Sequence, residues 1–128
     1  MLSICTRIFL LGAFLTVASL SAQPVPLPLK PSDVQYSKAI DRLIMIASYQ
    51  NSVHLVNPAT GADTTINLNL APLSLSVSPD GTHAAIGHDG WISYVNLVAG
   101  TVEKTISLPV KASTVVLTGN GNVWVPPL

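Results

Sequence analysis

Residues 77–100 read VSPDGTHAAIGHDGWISYVNLVAG, and in them short β-prone runs alternate with turn residues. The Pro79-Asp80-Gly81 segment suits a tight turn, because proline fixes one φ angle and glycine accepts a positive one. Asp89-Gly90 is a hairpin signal, and the run that follows it, Trp91–Val95, is again β-prone. This stretch therefore predicts short strands joined by tight turns.

Parts of this stretch recur along the chain at a spacing of about 40 residues. Asn57-Pro-Ala-Thr-Gly61 returns as Asn96-Leu-Val-Ala-Gly100, and Val77–Gly81 is echoed by Leu117-Thr-Gly-Asn-Gly121. No helical period is evident in residues 32–128. Four-stranded repeats of this length are typical of β-propeller blades. The sequence thus predicts an all-β chain of antiparallel four-stranded blades.

The predicted domains follow from this repeat. They are blade 1 at 32–70, blade 2 at 71–110 and a partial blade 3 at 111–128. The predicted strands are 34–36, 43–48, 52–56, 62–68, 73–77, 82–87, 91–95, 101–108, 113–118 and 122–125.

The second copy resembles the YVTN-type blade of secreted bacterial β-propellers. The resemblance is carried by the turn Val77–Gly81, the strand that runs to Gly87, the strand Trp91–Val95 and the turn Asn96–Gly100. The sequence has Ala-Ile-Gly-His at 85–88 where that family has Tyr-Val-Thr-Asn. The resemblance implies a ring of blades that serves as a binding or scaffolding surface, often outside the cytoplasm. Some similarly shaped proteins are enzymes whose catalytic residues come from several blades.

The chain is too short to close such a ring alone. Four blades, the smallest ring, need about 160 residues, and residues 32–128 supply 97. We therefore expect an incomplete ring, either the N-terminal part of a longer protein or one closed by oligomerisation. The unpaired flank of the last blade should expose apolar side chains and make the isolated chain sticky or marginally stable.

The N-terminus has the three-part pattern of a signal peptide, which we expect to be helical. Arg7 precedes an apolar run of 11 residues, Ile8–Ala18, and small residues follow. A membrane anchor is the alternative, but a spanning helix needs about 20 apolar residues. We therefore predict a signal peptide at 1–22, cleaved after Ala22, and a secreted or periplasmic protein that meets the membrane only through the uncleaved segment. Residues 23–31 hold four prolines and are predicted to be an extended linker.

Composition excludes several classes of function. Only 9% of the residues are charged, with 6 basic and 6 acidic side chains, so a nucleic-acid groove built on charge is not expected. The single cysteine, Cys5, excludes an internal disulfide framework and a cysteine-based zinc cluster.

Three residues are weak candidates for chemistry. His88 and Asp89 could act as a base and its orienting group or bind a metal, but we interpret them as polar tips of a hairpin turn, followed by a buried Trp91. Asp80 could bind calcium, but a turn role accounts for it better. Alanine at His88 or Asp89 is expected to change stability little. His54 is interpreted as a solvated or interblade side chain. No catalytic, cofactor-binding or metal site is predicted.

The prediction for function is a non-catalytic binding or scaffolding module of an exported β-propeller, with an unidentified protein or glycan partner. The alternative is the N-terminal part of a propeller enzyme, a hydrolase, lyase or quinoprotein, whose active site lies in further blades. Converging His, Asp or Glu residues in those blades would favour the enzyme.

Overall fold

The computed structural model describes residues 22–27 and 29–127, and within these ranges it contains ten β-strands and no helix. The strands are β1 (Asp33–Ser37), β2 (Arg42–Ala47), β3 (Ser52–Val56), β4 (Asp63–Asn67), β5 (Ser74–Val77), β6 (His83–Gly87), β7 (Asp89–Asn96), β8 (Thr101–Lys111), β9 (Val116–Leu117) and β10 (Val123–Trp124). The predicted signal-peptide helix lies outside the described residues, apart from Ala22. Within the described ranges, no helix has the length and apolarity that a membrane span requires.

The strands form three antiparallel sheets in chain order, which confirms the all-β prediction of four-stranded units. The first sheet has the order β1-β2-β3-β4, the second has the order β5-β6-β7-β8, and the third consists of β9 and β10. Each strand pairs with its neighbour in sequence, because the connections between them are short turns. The described strands do not close a ring.

The recurring Asn-x-x-x-Gly segments are turns with the same geometry in both four-stranded sheets. The Asn57 carboxamide accepts the backbone N–H groups of the second and third residues after it, at 2.9 and 3.2 Å, and Asn96 does the same at 3.0 and 2.9 Å. Gly61 and Gly100 then adopt φ values of 74° and 69°. Asparagine and glycine therefore recur because one caps the turn and the other accepts its left-handed conformation.

The three sheets meet through their first strands. β1 contacts β5, and β5 contacts β9. The Gln35 side chain on β1 donates to the carbonyl of Leu75 and accepts from the N–H of Val77, each at 2.8 Å. One sheet further on, the hydroxyl of Ser76 accepts the N–H of Leu117 at 2.9 Å. Polar side chains on successive first strands thus bond the backbone of the next first strand, as expected of sheets stacked around a common axis.

Apolar side chains fill the space between consecutive sheets. Between the first and second sheets the buried cluster comprises Ile44, Ile46, Val53, Leu55, Ile66, Leu68, Leu75, Ala84, Ile86, Val95 and Leu97. Between the second and third sheets it comprises Ala85, Ile92, Ala112, Val115 and Leu117. Residues on opposite faces of β6, such as Ala84 and Ala85, belong to different clusters, because side chains alternate across a strand. The second sheet is therefore packed on both faces.

Two local features differ from the sequence-based expectations. The segment 88–90 was expected to be a connector, but β7 begins at Asp89 and only His88 separates it from β6. The His88 N–H donates to the Trp91 carbonyl at 2.8 Å, and Gly90 between them has φ 79°. The register shift between the Asp89–Lys111 and Trp91–Ser107 pairs places β8 residues 108–110 opposite Gly90, so the irregularity lies on β8. β8 continues through Pro109 to Lys111, which is possible because β8 is an edge strand and has a free side.

Candidate functional site

A groove opens between the first two sheets, next to the turns that follow β1 and β5. Its volume is about 560 Å³, and residues 35–39 and 77–81 line it; we call it the turn groove. Because β1 and β5 are the innermost strands, their turns lie side by side at one end of the sheets. The turn groove is thus built from the segments that the repeat places next to each other.

Two exposed side chains give the turn groove its chemistry. The Tyr36 hydroxyl donates to a carboxylate oxygen of Asp41 at 2.8 Å, and this hydrogen bond raises the pKa of Tyr36. Lys38 is exposed, and among the described residues its ammonium has no hydrogen-bond or ion-pair partner. An oriented aromatic ring and a cation that line one groove can dock a polar or acidic segment of another molecule.

Asp80, a predicted candidate for calcium binding, lines this groove, and its side chain stabilises the turn in which it lies. Its carboxylate accepts the hydroxyls of Ser78 and Thr82, at 2.5 and 2.9 Å, and the N–H of Thr82 at 3.1 Å. These hydrogen bonds lower the pKa of Asp80 to about 2, the Ser78 contribution being the largest. In the third sheet, Asn120 accepts the Thr118 hydroxyl and the N–H of Asn122 in the same way. A neutral amide at the equivalent position supports a turn-forming role.

His88, the second predicted candidate, is buried, and its side chain contacts the segment that precedes β5. Its side chain is 1% exposed. Nδ1 lies 3.0 Å from the carbonyl of Ala71, and Nε2 lies 2.9 Å from the Ser93 hydroxyl. Since a carbonyl only accepts, Nδ1 carries the proton and Nε2 accepts from Ser93 in the neutral ring. Desolvation by burial lowers the pKa of His88. His88 is not a polar tip, and alanine there should destabilise the fold.

Asp89, the third candidate, does not join His88. It is exposed at the start of β7, and its backbone pairs with Lys111. Trp91 was expected to be buried, but it is 40% exposed. The structure therefore separates His88, Asp89 and Asp80, and the described residues contain no group of three His, Cys, Asp or Glu side chains that could hold a metal ion.

Sequence reasoning missed a Ser-His-Asp chain on the first sheet. His54 Nδ1 lies 2.7 Å from an Asp63 carboxylate oxygen, and Nε2 lies 2.9 Å from the Ser52 hydroxyl and 3.1 Å from the side-chain amide oxygen of Gln50. Ser52 and His54 share one strand face, being two residues apart, and Asp63 is diagonal to His54 across the β3–β4 pair. Ser52 and His54 are only 2% and 6% exposed. Without an accessible hydroxyl, this arrangement satisfies buried polar groups and does not present a nucleophile.

A second polar group lies on the second sheet, on the face turned towards the third. The rings of His83 and Tyr94 stack with centroids 5.2 Å apart, and the Lys104 ammonium lies 5.1 Å from the Tyr94 centroid. Glu103 lies 3.5 Å from His83 and accepts the Asn96 amide at 2.8 Å. These contacts tie β6, β7 and β8 together.

Comparison with known proteins gives similarity at the level of the fold. No family model matches the chain, and no curated protein matches it. Among solved structures, hydrazine synthase of Kuenenia stuttgartiensis superposes with a TM-score of 0.65 and 20% identity, over 80% of this chain and 30% of that one. The β-propeller domain of Myceliophteria thermophila Cps50 (Swd1) superposes with a TM-score of 0.59 and 16% identity, over 68% of this chain and 28% of that one. U3-55K superposes with a TM-score of 0.62 and 14% identity, over 70% of this chain and 30% of that one.

The chain spans about 30% of the length of these structures. At these identities the similarity concerns the fold alone. Together with the contacts that join β1, β5 and β9, it shows that the described residues form consecutive blades of a β-propeller fold.

Proposed function

We propose that this chain is part of an exported β-propeller that binds a protein partner, with the turn groove as its docking site. The observation that carries the proposal is the exposure of Tyr36 and Lys38 in a groove between the first two sheets. Loops and turns held by a packed scaffold are the usual location of binding residues. The hydrogen bond from Tyr36 to Asp41 fixes the ring orientation and reduces the entropy lost on binding.

Export, the class of propeller and the presence of further blades are proposed on other grounds. The signal-peptide pattern of residues 1–22 supports export, with a mature protein that begins at Gln23. The repeat centred on residues 77–100 supports membership in the YVTN-type class of bacterial propellers. Because the chain spans less than a third of the similar structures, we propose that the complete ring contains further blades.

The alternative is the N-terminal part of a propeller enzyme. The structural similarity to hydrazine synthase is the specific observation in its favour. An enzyme of this fold would draw its site from several blades, and in the Ser52-His54-Asp63 chain of the described blades the serine and the histidine are buried. Sequencing the gene beyond the codon for Leu128 discriminates between the two proposals. Further blades whose His, Asp or Glu residues converge on one site would favour the enzyme.

Site-specific photo-cross-linking tests the docking site. A photoreactive phenylalanine analogue is placed at Tyr36 in the full protein, in the cell that makes it. The matched control is the same analogue at Tyr49, an exposed tyrosine in the β2–β3 turn at the opposite end of the first sheet. We expect a protein adduct of discrete mass from position 36 and none from position 49. Equal labelling at both positions, or no adduct at 36, would contradict the proposal.

A further inference from the structure

Another groove opens between the outer strands of the first two sheets, whereas the turn groove lies at their inner strands. Its volume is about 410 Å³. Residues 65–70 at the end of β4 form one wall, and Ser93 on β7 with residues 100–102 and Thr105 at β8 form the other. We call it the outer groove. Its size lies within the roughly 300–1,000 Å³ of clefts that hold small ligands.

The polar groups of the outer groove are neutral. None of its lining residues is charged. Four exposed side chains that line it form no hydrogen bond with other described residues, namely Asn67, Asn69, Thr101 and Thr105. Glu103 and Lys104, which lie between the last two on β8, contact the stacked aromatic rings on the other face of the sheet. Hydroxyl and amide groups both donate and accept, so they suit an uncharged ligand that is rich in hydroxyls.

An aromatic side chain lies next to these polar groups. Trp91 is two residues before Ser93 on β7, so the two side chains lie on the same face of the strand. Trp91 pairs with Ser107 on β8 and is 40% exposed. A sugar ring has C–H groups on its faces and hydroxyls at its rim. An indole ring beside free hydroxyls and amides therefore complements both parts of a sugar.

A buried histidine connects the two walls of the outer groove. His88 donates from Nδ1 to the carbonyl of Ala71, which follows one wall, and accepts at Nε2 from the hydroxyl of Ser93 in the other. Within the first wall, the N–H of Leu68 donates to the carbonyl of Asn51 at 2.7 Å. Walls that are already held in place reduce the entropy lost when a ligand binds.

We propose that the outer groove, together with Trp91, is a binding site for a short neutral oligosaccharide. The indole face packs on one sugar ring, and the side chains of Asn67, Asn69 and Thr105 form hydrogen bonds with the sugar hydroxyls. The neutral lining favours a sugar over a peptide, because protein partners are usually anchored by aromatic or arginine side chains in desolvated pockets. The site is separate from the turn groove and does not depend on the proposed function.

An array of immobilised ligands provides the test. The full protein is labelled with a fluorophore and applied to neutral oligosaccharides, acidic oligosaccharides and uncharged peptides on one surface. We expect binding to at least one neutral oligosaccharide, and a titration with that sugar in solution should give a dissociation constant of about 1 mM or lower.

Substitutions make the test specific to the outer groove. Trp91→Ala should weaken sugar binding at least about tenfold, whereas Trp91→Phe, which keeps a flat ring, should weaken it less. Thr105→Val removes one hydroxyl at nearly constant volume and should also weaken binding. Trp124→Ala is the matched control, since Trp124 is 64% exposed on β10 and does not line the outer groove, and binding should be unchanged.

Three results would overturn the inference. The first is no binding to any neutral oligosaccharide, and the second is binding to acidic oligosaccharides or peptides alone. The third is binding of a neutral sugar that is unchanged in Trp91→Ala and in Thr105→Val, with circular dichroism showing that both variants are folded. Cross-linking at Tyr36 reports on the turn groove, so either proposal can fail alone.

Discussion

Replacing Gly81 by alanine should test the contact between the first two sheets directly. Gly81 lies in the turn after β5 with φ 73°. A Cβ atom there would lie 2.6 Å from the hydroxyl oxygen of Ser37 at the end of β1 and 2.9 Å from the Cβ of Ala39 in the β1–β2 turn. Ser37 also donates to the Gly81 carbonyl at 2.6 Å. The third sheet supplies the matched control, since Gly121 has φ 81° at the equivalent turn position and a Cβ atom there would have no neighbour within 4 Å among the described residues.

The expected cost differs because only one position has a neighbour. The left-handed conformation costs alanine about 1–2 kcal/mol at either position. At Gly81 the close approach to Ser37 and Ala39 adds about 1–3 kcal/mol of overpacking. We therefore expect Gly81→Ala to lower the free energy of unfolding by about 2–5 kcal/mol and Gly121→Ala by about 1–2 kcal/mol.

Urea unfolding of residues 23–128, followed by circular dichroism, gives both values. The difference between the two variants isolates the contact between the sheets, because the backbone conformation is common to both. Equal losses of stability would refute the reasoning, since they would show that the first sheet does not pack against the Gly81 turn.

Four further predictions concern buried and titratable groups. His88→Ala should cost about 2–4 kcal/mol in urea unfolding, because two hydrogen bonds and buried volume are lost, whereas Asp89→Ala should stay within about 0.5 kcal/mol. Because the pKa of His88 is lowered from 6.5, the unfolded chain binds a proton that the folded chain does not; stability should fall as the pH drops from 7 through 6.5, and less so in His88→Ala. The pKa of Asp80 is lowered from 3.8 to about 2, so its contribution to stability is present above pH 3.8 and lost towards pH 2; Asp80→Asn should remove this acid-dependent part in a pH titration of unfolding. Ile66 is 5% exposed and Ile106 is 38% exposed; Ile66→Ala should cost about 2–4 kcal/mol and Ile106→Ala about 1 kcal/mol, and similar losses would contradict the difference in their burial.

The strands and turns could be predicted from the sequence because their signals are local. Asn57 and Asn96 cap their turns with their own side chains, and Gly61 and Gly100 adopt the φ angle that follows. The spacing between these turns sets the strand lengths, and the alternation of apolar residues sets their faces. The stacking of sheets then followed from a repeat in which no sheet can bury both faces alone.

The side-chain partners could not be predicted, because they depend on register and on neighbouring sheets. His88 follows a strand and precedes Asp-Gly, which is a turn signal, yet its backbone bonds to Trp91 and Ala112 and its imidazole lies inwards against Ala71 and Ser93. The sequence did contain a signal for the hydrogen-bonded Ser52-His54-Asp63 chain. Two polar residues share a face of a strand otherwise rich in valine and leucine, and the hairpin register places Asp63 diagonally opposite His54.

The central claim is that successive sheets are stacked around an axis through their first strands. Nuclear Overhauser effects in residues 23–128 test it most directly. We predict cross-peaks between the Gln35 side-chain amide and the Val77 N–H, and between the Ser76 Hβ protons and the Leu117 N–H. Well-resolved spectra of a folded chain that lack both cross-peaks would contradict this stacking.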